Sequence, residues 1–390
     1  MPRIAFRDLA SAEWAAGENY LFNLFTAVRK VGKDDVQLIL LSYSDTPRGA
    51  REEEKPFDQV LIIPDPSQAQ YFRLSYRAID KIKQAVGLEN DLSARLRKHK
   101  VDALFTSLNG LGTNFRLPSL LWMPDFQSLY LPENFTEQEK LGIRTLLHTE
   151  GGKATRLIVS SNATFHHLEQ HFPNLANKAR ILRFATVIPE RVFRDDPSLV
   201  CAMYHLPERF IYLPNQFWKH KNHEAVVNAL AKRIGTRPEI TIVCTGNTND
   251  YRDRLFFSRL LADISHQGVR NHFILLGMIP HDHVYALMRQ SIAVLQPSLF
   301  EGWSTTVEEV KSLGKKIILS DLAVHHEQNP PGATYFNPAK PSELADILQD
   351  AFARGIPGPD LEMEKNSRQA AEKRLLEFGR QFMGIVDEIL

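Results

Sequence analysis

Two carboxylates separated by seven residues stand out in the second half of the sequence. Glu301 lies in a polar stretch directly before Gly302, and Glu309 lies in a segment with a helical pattern. Their spacing is not the i,i+4 spacing of two residues on one helix face. The two side chains are therefore suited to different parts of one extended ligand, because a carboxylate readily accepts hydrogen bonds from the vicinal hydroxyls of a sugar or a ribose.

The polar stretch joins a predicted strand, which ends at about Gln296, to a predicted helix, which begins at about Thr305. A helix start presents unpaired backbone N–H groups and a positive dipole end, which together suit a phosphate. Gly302 allows a ligand to come close to the backbone. Two capping boxes mark the helix start, Thr305 with Glu308 and Thr306 with Glu309. Capped helices of this kind also occur in α/β proteins with nothing bound, so the pattern alone leaves both interpretations open.

Three adjacent residues, His281, Asp282 and His283, suggest a metal cluster at first sight. Neighbouring positions at a helix start give poor ligand geometry, so we expect these side chains to cap the helix. The sequence has no Asp-x-Asp motif. We therefore expect neither a catalytic metal nor a cofactor.

The composition of the 390-residue chain is that of a globular protein, with 43% hydrophobic and 24% charged residues. A net charge of +1 gives no general attraction to nucleic acid. The two cysteines, Cys201 and Cys244, lack ligand spacing. The sequence shows no signal-peptide pattern at its start and no apolar run of roughly 18 residues. We therefore expect a cytoplasmic protein.

One segment, residues 73–100, is locally basic. It carries eight basic residues (Arg73, Arg77, Lys81, Lys83, Arg95, Arg97, Lys98 and Lys100) against Asp80, Glu89 and Asp91. Such a segment fits either a solvated helix face or a patch for anionic lipid or a phosphate-bearing acceptor. The second interpretation would place the protein peripherally at the inner face of the plasma membrane.

Short apolar runs alternate with amphipathic stretches along the chain, with seven predicted strands before residue 190 and six after residue 207. This alternation predicts βα units and mostly parallel sheets. Prolines interrupt the pattern between the two series. The prediction is an α/β fold with two Rossmann-like, doubly wound domains facing a central cleft: residues 1–190, a linker at 191–207, and residues 208–360. A final helix over 361–390 is expected to cross back to the first domain.

The Glu301-to-Glu309 spacing, with Gly302 directly after the first Glu, resembles the EX7E signature of retaining glycosyltransferases of family 4, the glycosyl transferases group 1. The segment from Gly314 to Asp321 resembles the strand that follows this signature in the family. The resemblance covers nearly the whole chain, is strongest over residues 208–345, and implies the GT-B fold. It also implies a nucleoside-diphosphate sugar as the donor substrate.

The resemblance assigns donor contacts in the second half of the chain. Glu301 would hold the transferred sugar and Glu309 the ribose, and Lys221 would neutralise the diphosphate. Gln216 stands where the family has an Arg, so Lys219 is a candidate for the missing charge. On their own, both lysines also fit exposed charges at a helix start. The other implied donor contacts lie at the helix start and beside the nucleobase: Gly302, Trp303, Ser304, Thr305 and Thr306, and Gly277 with Met278.

In the first half the resemblance assigns Gly17, with Asn19 beside it, to a loop near the donor phosphates and sugar. Asp125 stands close to a strand end where related enzymes often carry a His. We take it as a candidate for a sugar or acceptor contact, although an ordinary turn aspartate fits equally well. Catalysis is thus assigned to Glu301, Lys221 and Asp125.

The implied activity is metal-independent transfer of a sugar, with retention, to a hydroxyl of a glycan or lipid-linked acceptor in bacterial polysaccharide or lipopolysaccharide assembly. A nucleotide-sugar epimerase of the same fold is an alternative, but the sequence shows no convincing acid/base set around the sugar. A non-catalytic nucleotide- or glycan-binding protein is the other alternative. A nicotinamide dehydrogenase is disfavoured because Phe115 occupies the third glycine position of the nearest GxGxxG approach.

Overall fold

The computed structural model describes residues 1–9, 15–32, 35–43, 56–63, 88–107, 110–235 and 239–390. Most of the basic segment 73–100 lies outside these ranges. Of that segment, residues 88–100 are described.

The described strands form two parallel sheets. The first sheet has the strand order β3-β2-β1-β4-β5-β6-β7, and the second has the order β10-β9-β8-β11-β12-β13. The strands are β1 Arg3–Arg7, β2 Gln37–Ser42, β3 Gln59–Ile62, β4 Ala103–Thr106, β5 Ser119–Met123, β6 Arg156–Val159, β7 Ala179–Ile181, β8 Ile211–Leu213, β9 Ile242–Thr245, β10 Phe273–Gly277, β11 Val294–Gln296, β12 Ile317–Ser320 and β13 Ala333–Phe336. The predicted α/β fold with two doubly wound parallel sheets is thereby confirmed.

Helices connect most successive strands. They are α1 Ala15–Val31, α2 Asp91–Lys98, α3 Gln127–Tyr130, α4 Glu137–Leu146, α5 Asn162–His171, α6 Glu190–Arg194, α7 Pro197–Met203, α8 His223–Ala231, α9 Phe256–His266, α10 His281–Gln290, α11 Thr305–Leu313, α12 Ala323–Gln328, α13 Pro341–Arg354 and α14 Leu361–Asp387. Within the described ranges, no helix combines the length and the apolar character that crossing a membrane requires.

The chain divides into two compact units. The first consists of residues 1–126, 137–185 and 374–390, and the second of residues 127–136 and 186–373. The last helix, α14, contributes its first half to the second unit and its second half to the first. The segment predicted as a linker, residues 191–207, contains helix α7 and most of α6, and Asp196 caps α7 by accepting from the backbone N–H of Ser198.

The second sheet is covered by apolar side chains on both faces. Ile211 and Leu213 of β8 pack into one cluster, which includes helices α8, α9 and α13. Tyr212, between them, packs into the opposite cluster with helices α10 and α11. This alternation is the period of two of a strand, and coverage of both faces is typical of a parallel sheet. Because both faces are covered, the polar residues that end these strands can reach solvent or a ligand only at the carboxyl edge of the sheet.

Candidate functional site

The loops after β8 and β11 lie side by side because these two strands are parallel neighbours. Two hydrogen bonds tie the loops together. The side-chain amide of Asn222 donates to the carbonyl of Pro297 over 3.1 Å, and the backbone N–H of Leu299 donates to the carbonyl of His220 over 2.8 Å. This contact brings the segment around Lys221 against the segment around Glu301, at the sheet edge where α/β proteins bind ligands.

Lys221 and Glu301 form an ion pair in which Lys221 Nζ lies 2.6 Å from Glu301 Oε1. The exposed fractions of the two side chains are 15% and 11%. Burial alone would raise the pKa of Glu301, but the charge and the hydrogen bond of Lys221 outweigh burial and hold that pKa below its ordinary value. The carboxylate is therefore ionised at neutral pH and ready to accept hydrogen bonds from a ligand.

A buried glutamine at the end of β11 also contacts this carboxylate. Gln296 Nε2 donates to Glu301 Oε1 over 2.9 Å and lies 3.1 Å from Ser298 Oγ and 3.2 Å from Ser304 Oγ. Gln296 thus links Glu301 to the residue that begins helix α11. The sequence analysis used Gln296 only as a strand end and missed this role, although a polar residue closing the apolar run Val294–Leu295 is a signal.

Ser304 is the N-cap of α11, and its hydroxyl accepts from the backbone N–H of Val307 over 3.4 Å. Both predicted capping boxes, at Thr305 and at Thr306, are therefore wrong, because the cap lies one residue before Thr305 and its third helical residue is a valine. Gln328 replaces the missing acidic partner. Its Oε1 accepts from the Ser304 N–H over 3.2 Å, and its Nε2 donates to the Ser304 carbonyl over 2.9 Å. No sequence spacing indicated this contact.

Glu309 lies in the second turn of α11, and its side chain has an exposed fraction of only 7%. His281 Nε2 lies 3.0 Å from Glu309 Oε1, and the hydroxyl of Tyr285 donates to the same oxygen over 3.5 Å. The rings of His281 and Tyr285 are stacked, with their centroids 4.5 Å apart. Helix α10 therefore holds the second carboxylate of the EX7E pattern in a fixed position.

The side chains of His281, Asp282 and His283 point to three different partners. Asp282 pairs with Arg191 over 2.9 Å, His283 Nδ1 lies 2.7 Å from the hydroxyl of Tyr204, and His281 contacts Glu309. The prediction that they cap the helix is wrong, because the N-cap is Pro280 and no side chain caps this helix start. Among the described residues, no group of three His, Cys, Asp or Glu side chains is arranged to hold a metal ion.

Gln216, at the place of the family Arg, is used to join two loops. Its Oε1 accepts from the backbone N–H of Asn247 over 2.5 Å, and the Asn247 carbonyl accepts from the N–H of Phe217 over 2.9 Å. Lys219 interacts through its backbone, since its N–H lies 3.4 Å from a carboxylate oxygen of the buried Asp250. The structure thus brings Lys221, and not Lys219, into contact with Glu301.

Gly277 is the last residue of β10 and Met278 follows it, at the same edge of the second sheet. The carbonyl of Gly277 accepts from the N–H of Gly246 over 2.9 Å, so the loops after β9 and β10 are also joined. Gly277 has a φ of 68°, which suits glycine, and the Met278 side chain is exposed. This exposed turn is accessible to a ligand.

The three candidates from the first half of the chain lie in the first unit. Gly17 and Asn19 belong to helix α1, which begins at Ala15, and not to a loop as the resemblance implied. Asp125 follows β5 and is half-buried. Glu301 lies in the second unit, and the role of these three residues at its site stays a prediction.

Residues 205–374 match the sequence profile of the family Glycosyl transferases group 1. None of the curated protein sequences matches the chain.

Three solved structures that are similar to the chain illustrate the likeness in fold. HepE from Anabaena, solved in complex with UDP and glucose, has a TM-score of 0.70 and 16% identity over 100% of both chains. The sucrose-phosphate synthase from Thermosynechococcus elongatus has a TM-score of 0.68 and 17% identity, again over 100% of both chains. WaaG, a glycosyltransferase involved in lipopolysaccharide biosynthesis, has a TM-score of 0.61 and 13% identity, covering 97% of this chain and 95% of its own.

At these identities the structures bear on the fold, which is that of GT-B glycosyltransferases, while the profile bears on the family. The profile spans the loops that carry Lys221 and Glu301 and the helix that carries Glu309. The similarity to the glycosyl transferases group 1 family therefore covers residues 205–374, the part of the chain that contains Lys221, Glu301 and Glu309.

Proposed function

We propose that the protein transfers a sugar, with retention, from a nucleoside-diphosphate sugar to a hydroxyl of a glycan or lipid-linked acceptor. The observation that carries this proposal is the Lys221–Glu301 pair, which lies at the carboxyl edge of the second sheet and is linked through Gln296 to the start of α11. This edge thus brings together a cation, a carboxylate and a helix start, which would bind the diphosphate and the sugar of the donor.

Each part of this arrangement has a chemical role in the proposal. Lys221 and the start of α11 would hold the diphosphate, on which negative charge grows as the bond to the sugar breaks. The first-turn N–H groups of an α-helix have no intrahelical acceptor, and the N–H groups of Thr305 and Thr306 occupy these positions. Glu301 would orient the sugar hydroxyls, and Glu309 would accept hydrogen bonds from the ribose.

The proposed mechanism needs no protein base. The acceptor hydroxyl would attack on the face that the diphosphate leaves, and a phosphate oxygen of the donor would take its proton. The protein would then contribute orientation and charge stabilisation rather than proton transfer. The same proposal includes independence from metals and cofactors, and it assigns Gly17, Asn19 and Asp125 to the donor sugar and the acceptor.

Support for a uridine nucleotide comes from HepE, whose structures hold UDP and UDP-glucose. Support for lipopolysaccharide or polysaccharide assembly comes from WaaG and from WaaB, an outer core galactosyltransferase of lipopolysaccharide. A lipid-linked acceptor would also explain the basic segment 73–100, in whose described part Arg95, Arg97 and Lys98 are exposed. We include peripheral contact with the inner face of the plasma membrane in the proposal.

The experiment is a donor panel of UDP-, GDP- and ADP-linked hexoses, with release of the nucleoside diphosphate as the readout. We expect the wild type to turn over donors of one nucleotide class. We expect the rate of the Glu301→Gln variant to be at least a hundredfold lower. Glutamine keeps the shape and the hydrogen bond from Lys221, so thermal unfolding is the check that the fold is intact. Conversion of the donor into its epimer would favour an epimerase, and tight binding without turnover would favour a non-catalytic protein.

A further inference from the structure

We propose that Gln296 is a positioning residue that holds Glu301 in its reactive orientation while Lys221 is engaged by the donor diphosphate. This inference rests on the proposed function and assigns a role in it to a residue outside the EX7E pattern. It follows from the contacts of Gln296, from its burial, and from the different partners that Gln296 and Lys221 would have in the complex.

The contacts of Gln296 are directed at the carboxylate and its support. Its Nε2 donates to Glu301 Oε1 over 2.9 Å, the same oxygen that Lys221 Nζ approaches to 2.6 Å. Both donors thus end on one oxygen, and neither occupies Oε2. The hydroxyl of Ser298 also hydrogen-bonds this carboxylate, and Gln296 Nε2 lies 3.1 Å from that hydroxyl, so Gln296 supports Glu301 both directly and through Ser298.

The burial of Gln296 indicates that its amide does not serve to stabilise the fold. The side chain is fully buried, and its Oε1 has no hydrogen-bond partner among the residues that the structure describes. An unpartnered buried carbonyl destabilises a fold, and a methionine of similar volume would avoid that loss. The amide is therefore better explained by what its Nε2 does at Glu301 than by packing.

In the proposed complex, the single positive charge of Lys221 has two anionic partners, Glu301 and the donor diphosphate. In the structure its ammonium group neutralises Glu301, whereas in the proposed complex it also binds the diphosphate. A diphosphate draws the ammonium group towards itself, because it carries more negative charge than a single carboxylate. Gln296 is a neutral donor that a diphosphate attracts far less, so it keeps Glu301 oriented when the ammonium group is shared.

The test compares Gln296→Met with Gln328→Met, using the nucleotide sugar that the wild type turns over fastest in the donor panel. Gln328 contacts Ser304 and Glu308 but not Glu301, so it supports the phosphate end of the site. We expect Gln296→Met to lower kcat at least tenfold and to leave the Kd of the nucleoside diphosphate within twofold. We expect Gln328→Met to weaken nucleoside diphosphate binding instead. Gln267→Met is the neutral control, because its amide bonds Asn228 and Asp263 outside this site.

A second readout separates positioning from packing. Loss of the amide donor disfavours the ionised form of Glu301, so the acidic limb of the kcat profile should move to higher pH in Gln296→Met. A kcat within twofold of the wild type, or an equal loss of nucleoside diphosphate affinity, would overturn the inference while the proposed function stands. A wild type that turns over no donor in the panel would overturn both.

Discussion

Lys221 and Glu301 are separated by 80 positions in the sequence, yet their charged atoms lie 2.6 Å apart. Both residue types could be assigned from the sequence, because each matches a motif position after a predicted strand. Their contact with each other could not, since it depends on the parallel pairing of β8 with β11. Gln216 shows the same limit, because its tie to Asn247 depends on a neighbouring loop.

We predict that Lys221→Met weakens binding of the nucleoside diphosphate at least tenfold, because the substitution removes the cation that we propose binds the phosphates. The substitution should also raise the pKa of Glu301, whose ionised form Lys221 favours. Isothermal titration calorimetry with UDP, GDP and ADP measures the first effect. Lys219→Met is the matched control, and a larger loss in that variant would assign the main phosphate charge to Lys219.

The lowered pKa of Glu301 also has a consequence for stability. A carboxyl whose pKa is depressed by folding stabilises the native state above its unfolded pKa, and this contribution is lost as pH falls through the folded value. We predict that the wild type loses more stability below pH 4.5, the ordinary pKa of the group, than Glu301→Gln does. Urea unfolding at pH 7 and below pH 4.5 measures this difference. An equal loss in the free energy of unfolding in both proteins would contradict the prediction.

Among the elements, the loops of the second sheet are packed more tightly than their sequences reveal. Gly246 has a φ of 141°, and a Cβ there would overlap the backbone carbonyl of Asn215. The seven strands before residue 190 and the six after residue 207 could be predicted because burial and period are local signals. The approach of the loop after β9 to the loop after β8 is a property of the sheet edge, which no single segment encodes.

We predict that Gly246→Ala destabilises the second unit more than Gly235→Ala does. Gly235 also has a positive φ, of 79°, but a Cβ there meets no atom of the described residues within 4 Å, so we count only the backbone penalty of about 1–2 kcal/mol. Overlap with backbone at Gly246 should add about 1–3 kcal/mol. Chemical denaturation measures both variants, and equal destabilisation would show that the loop relaxes around the new methyl group.

Lys315, directly after the C-cap of α11, is buried and donates from Nζ to the carbonyls of Arg289 and Gly358 over 3.0 and 2.8 Å. Burial lowers its pKa from 10.5 to about 8. Between these values the unfolded chain binds more protons than the folded one, so stability rises with pH, by up to about 3 kcal/mol. Lys315→Met should abolish this rise and Lys316→Met, an exposed neighbour, should keep it; urea unfolding at pH 8 and pH 10.5 tests both.

For the molecule as a whole, the last helix is the element that both units share. Residues 361–373 of α14 belong to the second unit and residues 374–387 to the first. Phe378 and Phe382 are buried in the first unit, where Phe382 contacts the rings of Phe6 and Phe105. The sequence predicted a long helix here from its continuous pattern, and the family resemblance suggested its destination.

Two glycines of this helix provide a matched pair. A Cβ at Gly379 would overlap the backbone carbonyl of Ala27 in α1, whereas a Cβ at Gly384 meets no atom of the described part of the chain within 4 Å. We predict that Gly379→Ala destabilises the first unit by about 1–3 kcal/mol, and that Gly384→Ala changes stability slightly in the favourable direction, by at most about 1 kcal/mol. Thermal unfolding of both variants checks this, and a neutral Gly379→Ala would contradict the close packing of α14 on α1.

The central claim is that the second unit binds a nucleoside-diphosphate sugar, with its phosphates at Lys221 and its sugar at Glu301. The most direct measurement is calorimetric binding of UDP and UDP-glucose, with the GDP and ADP counterparts, to the wild type, Lys221→Met and Glu301→Gln. We predict that Lys221→Met weakens the diphosphate and the nucleotide sugar alike, whereas Glu301→Gln weakens only the nucleotide sugar. If Glu301→Gln weakened the diphosphate as strongly as the nucleotide sugar, or if the wild type bound none of these nucleotides, the account would be contradicted.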